Sequence, residues 1–423
     1  MNGGHAPGGP ARDAPAPPVS DLPLPEPGTM GPPAECARLR AHTPVAPVRL
    51  GSDGVAWYLT RYEDVRAALA DPRLIRPDIT AWPPGAPPGD APRLVTMMEL
   101  DGPGHRALRR AVAEPFGLKA VEALAPRLRA LADRLLDDLA AGSDSGDLVT
   151  GFAEPFPLLV MCELVGIPYA ERDLFLGPAD AALGALLTLE AGRSVTGFLR
   201  SYALDLAERK RREPGRDVLT DLVRRWDAGD LAEEDVLAFT LSMLVAGYRT
   251  TTMFLADALL VLLTHPARLA DLRRHPEIMP TAVEELLRHL PVMNANVVLL
   301  AEEQVEIADR VVRAGEAVVP SIASANRDER VFAEPDRLDL RRAPNPHLAF
   351  GRGVHNCFGA HLARAELAVG LAAVLDRFPH LQLTADPRSL PWEDDSPAKS
   401  PLRLPVTWRN PAGEPCPAGD GVL

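Results

Sequence analysis

A long stretch of helical periodicity, residues 105–288, dominates the sequence. Leucine, alanine, arginine and glutamate recur there at three- and four-residue spacing, and proline or glycine marks the breaks. That spacing is the period of amphipathic α-helices. Shorter segments with strand character lie on either side of it, at 57–60, 297–320, 381–384 and 404–408. The pattern predicts a mainly α fold with small antiparallel β sheets.

The two ends of the chain differ in composition from the region between them. Ten of the 44 prolines lie within residues 1–35, with glycine, alanine and few large apolar side chains. Such a segment cannot bury enough surface to offset its chain entropy, so we expect a disordered leader. Residues 36–410 contain no linker and are predicted to form a single domain, whereas 411–423 should be a loose tail. A Pro/Gly-rich loop at 76–95 has the length of a lid or binding loop.

Charge and cysteine usage exclude several classes of protein. The chain has 45 Lys and Arg residues against 58 Asp and Glu residues, a net charge of −13. This balance argues against nucleic acid or an anionic membrane as a partner, because both select clustered positive charge. Asp257 interrupts the most apolar run, which stays below the roughly 18 residues of a membrane span. Four cysteines are spread along the chain without a CxxC pair, at positions 36, 162, 357 and 416. We therefore predict a cytoplasmic protein without disulfides.

One cysteine lies in an unusual local setting. Gly351 and Gly353 bracket a turn, Cys357 follows, and Gly359 opens an amphipathic helix. The helix dipole and the nearby backbone N–H groups favour a thiolate at such a position. The sulfur could be a catalytic nucleophile with His355 as its base, or a metal ligand. A buried, inert cysteine is the remaining alternative.

The whole segment, Phe350-Gly-x-Gly-x-His-x-Cys-x-Gly359, resembles the haem-binding loop of the cytochrome P-450 family. The resemblance implies the P-450 fold, haem b as cofactor, and the Cys357 thiolate as the ligand of the haem iron. A thiolate ligand pushes electron density onto iron and favours O–O cleavage. Phe350, Gly351 and Gly359 would shape the loop, since glycine lets the backbone approach a flat macrocycle.

A second motif implied by the resemblance is structural. Glu285-Leu-Leu-Arg288 places an acid and a base at i and i+3, where they can pair on one helix face. Alone, this spacing is equally typical of a solvated surface pair. In the P-450 family it forms a buried network with an arginine of a downstream segment. Pro335-Asp-Arg337-Leu matches that segment, so Arg337 is the predicted third member.

The resemblance also assigns residues to the haem propionates. His105 and Arg109 lie at i and i+4 and face one way on a helix, which without context would indicate a solvated face. As implied by the family, both bind propionates together with His355, since buried carboxylates require cationic partners. Relatives usually carry a further arginine ahead of a stretch that Ala301-Glu-Glu-Gln-Val matches. This chain has Leu299 there, so the propionate charge must be balanced otherwise.

The segment Ala246-Gly-Tyr-Arg-Thr250 resembles the oxygen-binding kink of the family's central helix. By resemblance, Ala246 and Gly247 make room for O2 and Thr250 takes part in oxygen activation. Relatives usually carry an acid just before this threonine, but Arg249 stands there. Arg249 could pair with an acid on the outer side of the helix, or bind a substrate carboxylate in the pocket. A peroxide-using enzyme is the third hypothesis.

The same resemblance predicts the substrate pocket and the partners. Electrons would come from NAD(P)H through a ferredoxin reductase and a ferredoxin, which would dock on a basic face. That face comprises Arg106, Arg110, Arg352 and Arg364, four arginines that could equally be a generic solvated set. We expect a monomer. The predicted pocket residues are Trp82, Met97, Met98, Met243, Val292, Met293, Asn294, Asn296 and Val297.

Together these features predict a haem-thiolate monooxygenase. It would insert one atom of O2 into an apolar small molecule, by hydroxylation or epoxidation, as a tailoring step of secondary metabolism. Because of Arg249, two alternatives stay open. One is atypical P-450 chemistry, such as oxidative coupling, ring closure or a peroxide-driven reaction. The other is a haem-binding scaffold without turnover.

Overall fold

The computed structural model describes most of the chain. The described residues are 19–26, 28–50, 54–76, 95–188, 193–290, 292, 297–393 and 399–409, with the backbone alone for 184–188 and 193–196. Several predictions fall outside this range. They concern leader residues 1–18, the tail 411–423, most of the loop 76–95, and the pocket residues Trp82, Met293, Asn294 and Asn296.

Helices form most of the described chain, as the periodicity predicts. They are α1 (Glu35–His42), α2 (Tyr62–Ala68), α3 (Gly102–Ala111), α4 (Ala113–Phe116), α5 (Leu118–Ala140), α6 (Pro155–Val165), α7 (Arg172–Thr188), α8 (Arg193–Arg212), α9 (Val218–Asp227), α10 (Glu233–Ala246), α11 (Arg249–Thr264), α12 (Pro266–Arg274), α13 (Met279–His289), α14 (Ile322–Ala325) and α15 (Ala360–Arg377). A π-helical turn, Val149–Ala153, precedes α6.

The strands are short and lie mainly at the two ends of the chain. They are β1 (Ser20–Asp21), β2 (Val45–Leu50), β3 (Gly54–Leu59), β4 (Leu74–Ile75), β5 (Ser145–Asp147), β6 (Leu299–Ala301), β7 (Val305–Ile307), β8 (Arg310–Val312), β9 (Ala317–Pro320), β10 (Gln382–Leu383) and β11 (Pro405–Thr407). The strands predicted within 57–60, 297–320, 381–384 and 404–408 are all present.

The largest sheet is mixed rather than antiparallel throughout. Its six strands run in the order β1-β2-β3-β9-β6-β4. β1 pairs with β2 and β3 pairs with β9 in parallel, and the other neighbours are antiparallel. The sheet brings β3, near the N-terminus, beside strands some 260 residues later, a pairing between distant segments that local periodicity does not reveal.

The predicted leader is too long at its C-terminal end. Ser20 and Asp21 pair with Val48 and Arg49, and Leu22 packs against the small apolar cluster formed around β2 and β3. Strand pairing supplies backbone hydrogen bonds that composition alone does not anticipate. The folded domain therefore begins by about residue 19, and not at residue 36.

The helical core is built around α11, α5 and α15. Residues Thr251–Leu262 of α11 are buried without interruption, so this helix is apolar on every side, which is typical of a helix at the centre of a large domain. The stretch Glu233–Thr264 is long and apolar enough to span a membrane, yet 78% of its most apolar window is buried inside the protein. It is interrupted at Gly247-Tyr248, between α10 and α11.

Candidate active site

The break between α10 and α11 forms one wall of a deep cavity, and the loop before α15 forms another. The cavity has a volume of about 650 Å³. Ala246, Gly247 and Thr250 line it from the helix break, and Cys357 lines it from the loop. Sequence segments more than 100 residues apart are thus brought together as predicted, because α11 packs against α15.

Backbone hydrogen bonds fix the loop that carries Cys357. The Cys357 N–H donates to the Phe350 carbonyl at 2.8 Å, and the Asn356 N–H donates to Gly353 at 3.1 Å. Gly351 and Gly353 have φ angles of +66° and +77°, which favour glycine. A Cβ on Gly353 would also lie 2.5 Å from the Leu69 carbonyl oxygen. The loop conformation therefore depends on both glycines.

The Cys357 side chain lines the cavity and is exposed there. Burial raises the pKa of Cys357 above its ordinary value, although the Gly359 N–H, Arg109 and Arg364 act to lower it. The helix start alone thus does not make this thiol a free thiolate, which limits the argument from the helix dipole. A bound metal cation would deprotonate it.

One edge of the cavity is polar and incompletely paired. The rings of His105 and His355 stack at 4.3 Å, and Asp101 accepts a hydrogen bond from His355 Nε2 at 2.8 Å. Neither ring nitrogen of the buried His105 has a hydrogen-bond partner among the described residues. Burial, reinforced by His355 and Arg109, lowers the pKa of His105 to about 4, so the ring is neutral at pH 7. Arg109 lies beside this pair and donates to the Asn356 carbonyl at 2.9 Å.

Arg76 lies at the same edge and was missed in the sequence analysis. Its side chain lines the cavity, and its buried Nε has no hydrogen-bond partner within the described parts of the chain. Burial lowers the pKa of Arg76 to about 10, so it remains a cation at pH 7. No sequence motif marks it, because its place follows from the pairing of β4 with the distant β6.

The helix break on the opposite wall depends on Gly247. A Cβ there would lie 2.5 Å from the Met243 carbonyl oxygen and 3.2 Å from Met161 Cγ. The Thr250 hydroxyl donates to the Ala246 carbonyl at 3.2 Å across the break. Tyr248 is buried, and its hydroxyl donates to Asp180 on α7 at 2.7 Å, which ties the break to a neighbouring helix.

Arg249 points away from the cavity. Its guanidinium donates to Glu393 at 2.9 Å and lies 3.9 Å from Asp180, and its side chain is 18% exposed. It is absent from the cavity wall. The structure thus favours the hypothesis that Arg249 pairs with an acid outside the pocket, and gives no support to a substrate carboxylate at this position.

A buried acid that the sequence analysis did not single out lies on the cavity wall. Glu366 of α15 is 2% exposed, and its Oε1 has no hydrogen-bond partner among the described residues. Burial raises the pKa of Glu366 well above its ordinary value, and a hydrogen bond with Thr251 only partly opposes this. Burial thus favours the protonated form of Glu366. The sequence signal was available, since an acid interrupts the apolar face of a helix that follows the cysteine loop.

The buried network below the cysteine loop corrects one prediction. Arg288 donates to both oxygens of Glu285 at 2.8 and 2.9 Å, and neither side chain is exposed. The third member is Arg342, whose Nε lies 3.1 Å from both Glu285 oxygens. Arg337 is half exposed and pairs with Glu334, because the turn between them directs its side chain outward. Only the Arg337 carbonyl contacts Arg288, at 3.4 Å.

The predicted basic face is smaller than expected. Arg106, Arg110 and Arg352 are exposed. Arg364 instead donates to Glu284 at 2.6 and 2.9 Å and lies over the Phe350 ring at 4.4 Å. Its charge is therefore largely neutralised.

Of the predicted pocket residues within the described chain, all line the cavity. They are Met97, Met98, Met243, Val292 and Val297. The Met97 N–H donates to the Ser242 hydroxyl at 2.7 Å, which joins the segment before α3 to α10. Leu299 also lines the cavity, so the wall at this point is apolar as expected.

Comparison with known proteins decides the family. A model of the cytochrome P-450 family matches residues 197–403. Nocardicin C N-oxygenase of Nocardia uniformis subsp. tsuyamanensis is 41% identical over 383 residues, which cover 88% of this chain and 94% of that protein. The chain belongs to the cytochrome P-450 family.

Further comparisons extend over nearly the whole P-450 domain. Mycinamicin IV hydroxylase/epoxidase of Micromonospora griseorubida is 40% identical over 376 residues, 88% of this chain and 94% of that one. The crystal structure of HinD with NMFT and NO matches with a TM-score of 0.85 and 41% identity, covering 93% of this chain and all of that one. The prediction of a P-450 fold is confirmed.

P-450 enzymes are haem-dependent oxidoreductases that take electrons from redox partners, and the cavity fits that cofactor. A thiol lies on one wall and apolar side chains line much of the space. At one edge lie the unpartnered Nε of Arg76 and, stacked behind His355, the buried and unpartnered ring of His105. The orphaned nitrogens of His105 and Arg76 are the most specific observation, because buried donors without partners are rare in proteins. The propionates of haem would supply the missing acceptors.

Proposed function

We propose that this P-450 inserts one atom of O2 into an apolar small molecule, by hydroxylation or epoxidation, during the tailoring of a secondary metabolite. The observation that carries the proposal is the cavity shared by Cys357 and the helix break at Gly247. Two relatives bear names that describe oxygenation of nocardicin C and of mycinamicin IV. The wall of methionine and aliphatic side chains suits an apolar substrate.

Haem b would be held by Cys357 as the iron ligand, with His105, Arg109 and His355 at its propionates. Phe350, Gly351 and Gly359 would form the floor of the loop beneath it. With a thiolate ligand, haem supplies the activation of O2. The backbone bonds around Cys357 hold its sulfur in one place, and the neighbouring Gly359 N–H stabilises negative charge on it.

The helix break contributes Ala246, Gly247 and the Thr250 hydroxyl to the wall of the same cavity. Gly247 packs so closely against Met243 and Met161 that a Cβ would clash, so this part of the cavity wall requires glycine. The Thr250 hydroxyl, on the same wall, can donate a hydrogen bond into the cavity when it leaves the Ala246 carbonyl. The small side chain of Ala246 takes up little of the cavity volume beside Gly247.

Glu366 is the proposed proton store of this site. In most relatives an acid precedes the threonine, whereas here Arg249 is paired with Glu393 and cannot release a proton at ordinary pH. Glu366 is buried on the cavity wall close to Thr251, next in sequence to Thr250, and burial raises its pKa well above its ordinary value. Its proton can pass to the threonine hydroxyls or to cavity water, and bulk water can restore it.

Electrons would reach the haem from NAD(P)H through a ferredoxin reductase and an acidic ferredoxin. Arg106, Arg110 and Arg352 are exposed and would form the basic face that docks it, since charge complementarity raises association rates. Arg352 and Val354 are exposed beside one another, which gives the face an apolar contact as well. We propose that the enzyme works as a monomer in the cytoplasm.

Isotope labelling tests the proposed reaction. The ferric protein is first titrated with neutral apolar metabolites, macrolides among them, and ligands that shift the haem spin state are selected. Turnover with surrogate ferredoxin and reductase under 18O2 should then yield product with one 18O atom. If selected ligands bind but neither consume NADPH nor gain oxygen, the protein is a scaffold instead.

A further inference from the structure

Arg76 occupies the place on the neighbouring strand directly across from Leu299. β4 and β6 pair in antiparallel register, with Leu74 opposite Ala301 and Ile75 opposite Leu300. One step further along this register, Arg76 faces Leu299. Residues opposite one another in an antiparallel pair project to the same face, with Cβ atoms roughly 5 Å apart.

Both members of this pair line the cavity, Arg76 as a cation and Leu299 as an apolar group. The family's usual arginine is missing at Leu299, and a cation lies across the ladder from that position. We propose that Arg76 replaces the missing arginine and binds a haem propionate. The inference rests on haem occupying the cavity, as proposed above.

The surroundings of Arg76 favour this role over a structural one. Its backbone N–H donates to Asp101 Oδ2 at 2.7 Å, which anchors the residue at the cavity edge. The other Asp101 oxygen is taken by His355. The guanidinium itself has no hydrogen-bond partner in the described chain, and its Nε is buried. A partly buried cation without a partner is costly, and a carboxylate partner lowers that cost.

The charge at this edge also requires a further cation. His105 is neutral at pH 7, and His355 is paired with Asp101, so these two rings offer little net positive charge to two carboxylates. Arg109 and Arg76 are partly buried cations at this edge, whereas Arg106 and Arg352, which also line the cavity, are exposed to solvent. With both arginines the two propionates can each meet a permanent positive charge.

Haem retention measures this contact without reference to activity. We expect Arg76→Leu to release haem from the ferric holoprotein to apomyoglobin about tenfold faster than wild type, the loss expected for one charge-assisted hydrogen bond. Arg73→Leu is the matched control, because Arg73 lies three residues away, is exposed and, among the described residues, has Asp71 as its ion-pair partner. It should release haem at the wild-type rate.

Placing the arginine at position 299 and removing it from position 76 gives the decisive comparison. Arg76→Leu combined with Leu299→Arg should restore haem retention to within about twofold of wild type, since the cation returns to the same edge. If Arg76→Leu does not assemble with haem at all, assembly of the double variant supports the proposal equally. Failure of both variants contradicts it.

Other outcomes overturn the proposal in distinguishable ways. Unchanged haem release in Arg76→Leu contradicts propionate binding. If release is unchanged while a preference for apolar acids over their methyl esters disappears, Arg76 binds a substrate carboxylate. Fast release that Leu299→Arg does not rescue shows that the Arg76 guanidinium acts through its charge on the nearby Asp101 and not through a propionate. If wild type and Arg73→Leu fail to bind haem, the proposed function fails, and not the role of Arg76.

Discussion

The two walls of the cavity are held by different kinds of interaction. The backbone of the cysteine-loop wall is held locally, since Cys357, Asn356 and Gly351 bond to backbone groups within seven residues, although Asp101 and Arg109 also reach the loop. The helix-break wall is tied by long-range side-chain contacts, from Tyr248 to Asp180 and from Arg249 to Glu393. A locally determined wall leaves a recognisable sequence motif, whereas a wall held from distant segments does not. Four experiments test this contrast, in order of decreasing effect.

The largest effect should come from the support beneath the cysteine loop. Arg342→Ala leaves the buried Glu285 carboxylate with one cationic partner fewer, so we expect the free energy of unfolding to fall by about 3–5 kcal/mol. Arg337→Ala is the matched control and should change it by no more than about 0.5 kcal/mol, because its side chain is exposed. Urea unfolding of the two holoproteins measures both. The opposite ranking would show that Arg337 is the third member after all.

Low pH should reduce the stability of the same wall, because Glu284 becomes protonated. Burial would raise the pKa of Glu284, but hydrogen bonds from His347 and Arg364 outweigh it and lower the pKa to about 2. A depressed carboxyl pKa stabilises the fold above the unfolded-state value near 4.5 and loses that contribution as pH falls toward 2. Wild type should therefore exceed Glu284→Gln in unfolding free energy by up to about 3 kcal/mol at pH 7. The gap should narrow steadily between about pH 4.5 and 2. If the difference in unfolding free energy between wild type and Glu284→Gln did not change with pH, the ionised Glu284 carboxylate would not be the source of the stabilisation.

Removing the proton carriers should affect turnover more than binding. Thr250→Ala and Glu366→Gln should each lower product formation about 10- to 100-fold and divert NADPH consumption to hydrogen peroxide. The spin-shift affinity for a selected substrate should stay within about twofold. Thr240→Ala is the control, because its hydroxyl donates to the Val236 carbonyl in α10 and does not line the cavity. Unchanged coupling in Glu366→Gln would remove Glu366 from proton delivery.

The smallest effect is expected at Arg249. A double-mutant cycle with Arg249→Gln and Glu393→Gln should give a coupling energy of about 0.5–1.5 kcal/mol, since the pair is partly buried. Titration with an apolar carboxylic acid and its methyl ester should give the same affinity ratio in wild type and Arg249→Gln. Loss of carboxylic acid binding in Arg249→Gln would place Arg249 in the pocket. The helix-break wall would then not be tied by the Arg249–Glu393 pair.

The sequence predicted most of what is local in this molecule. The helical region, the cysteine loop and the Glu285–Arg288 pair all follow from spacing within one segment or from a short motif. The predictions that failed or were incomplete depend on distant partners. Arg342 enters the network from beyond a turn, Arg76 meets Leu299 through the strand pairing of β4 with β6, and β1 is ordered only by pairing with β2.

The central claim is that Cys357 is the thiolate ligand of haem, and the absorption spectrum of the reduced, carbon monoxide-bound protein tests it most directly. The band position distinguishes thiolate from imidazole ligation. We predict the thiolate spectrum for wild type and its replacement by the imidazole type in Cys357→His, with haem still bound. A thiolate spectrum that survives this substitution would contradict the assignment, since the other cysteines of the described chain, Cys36 and Cys162, are both buried away from the cavity.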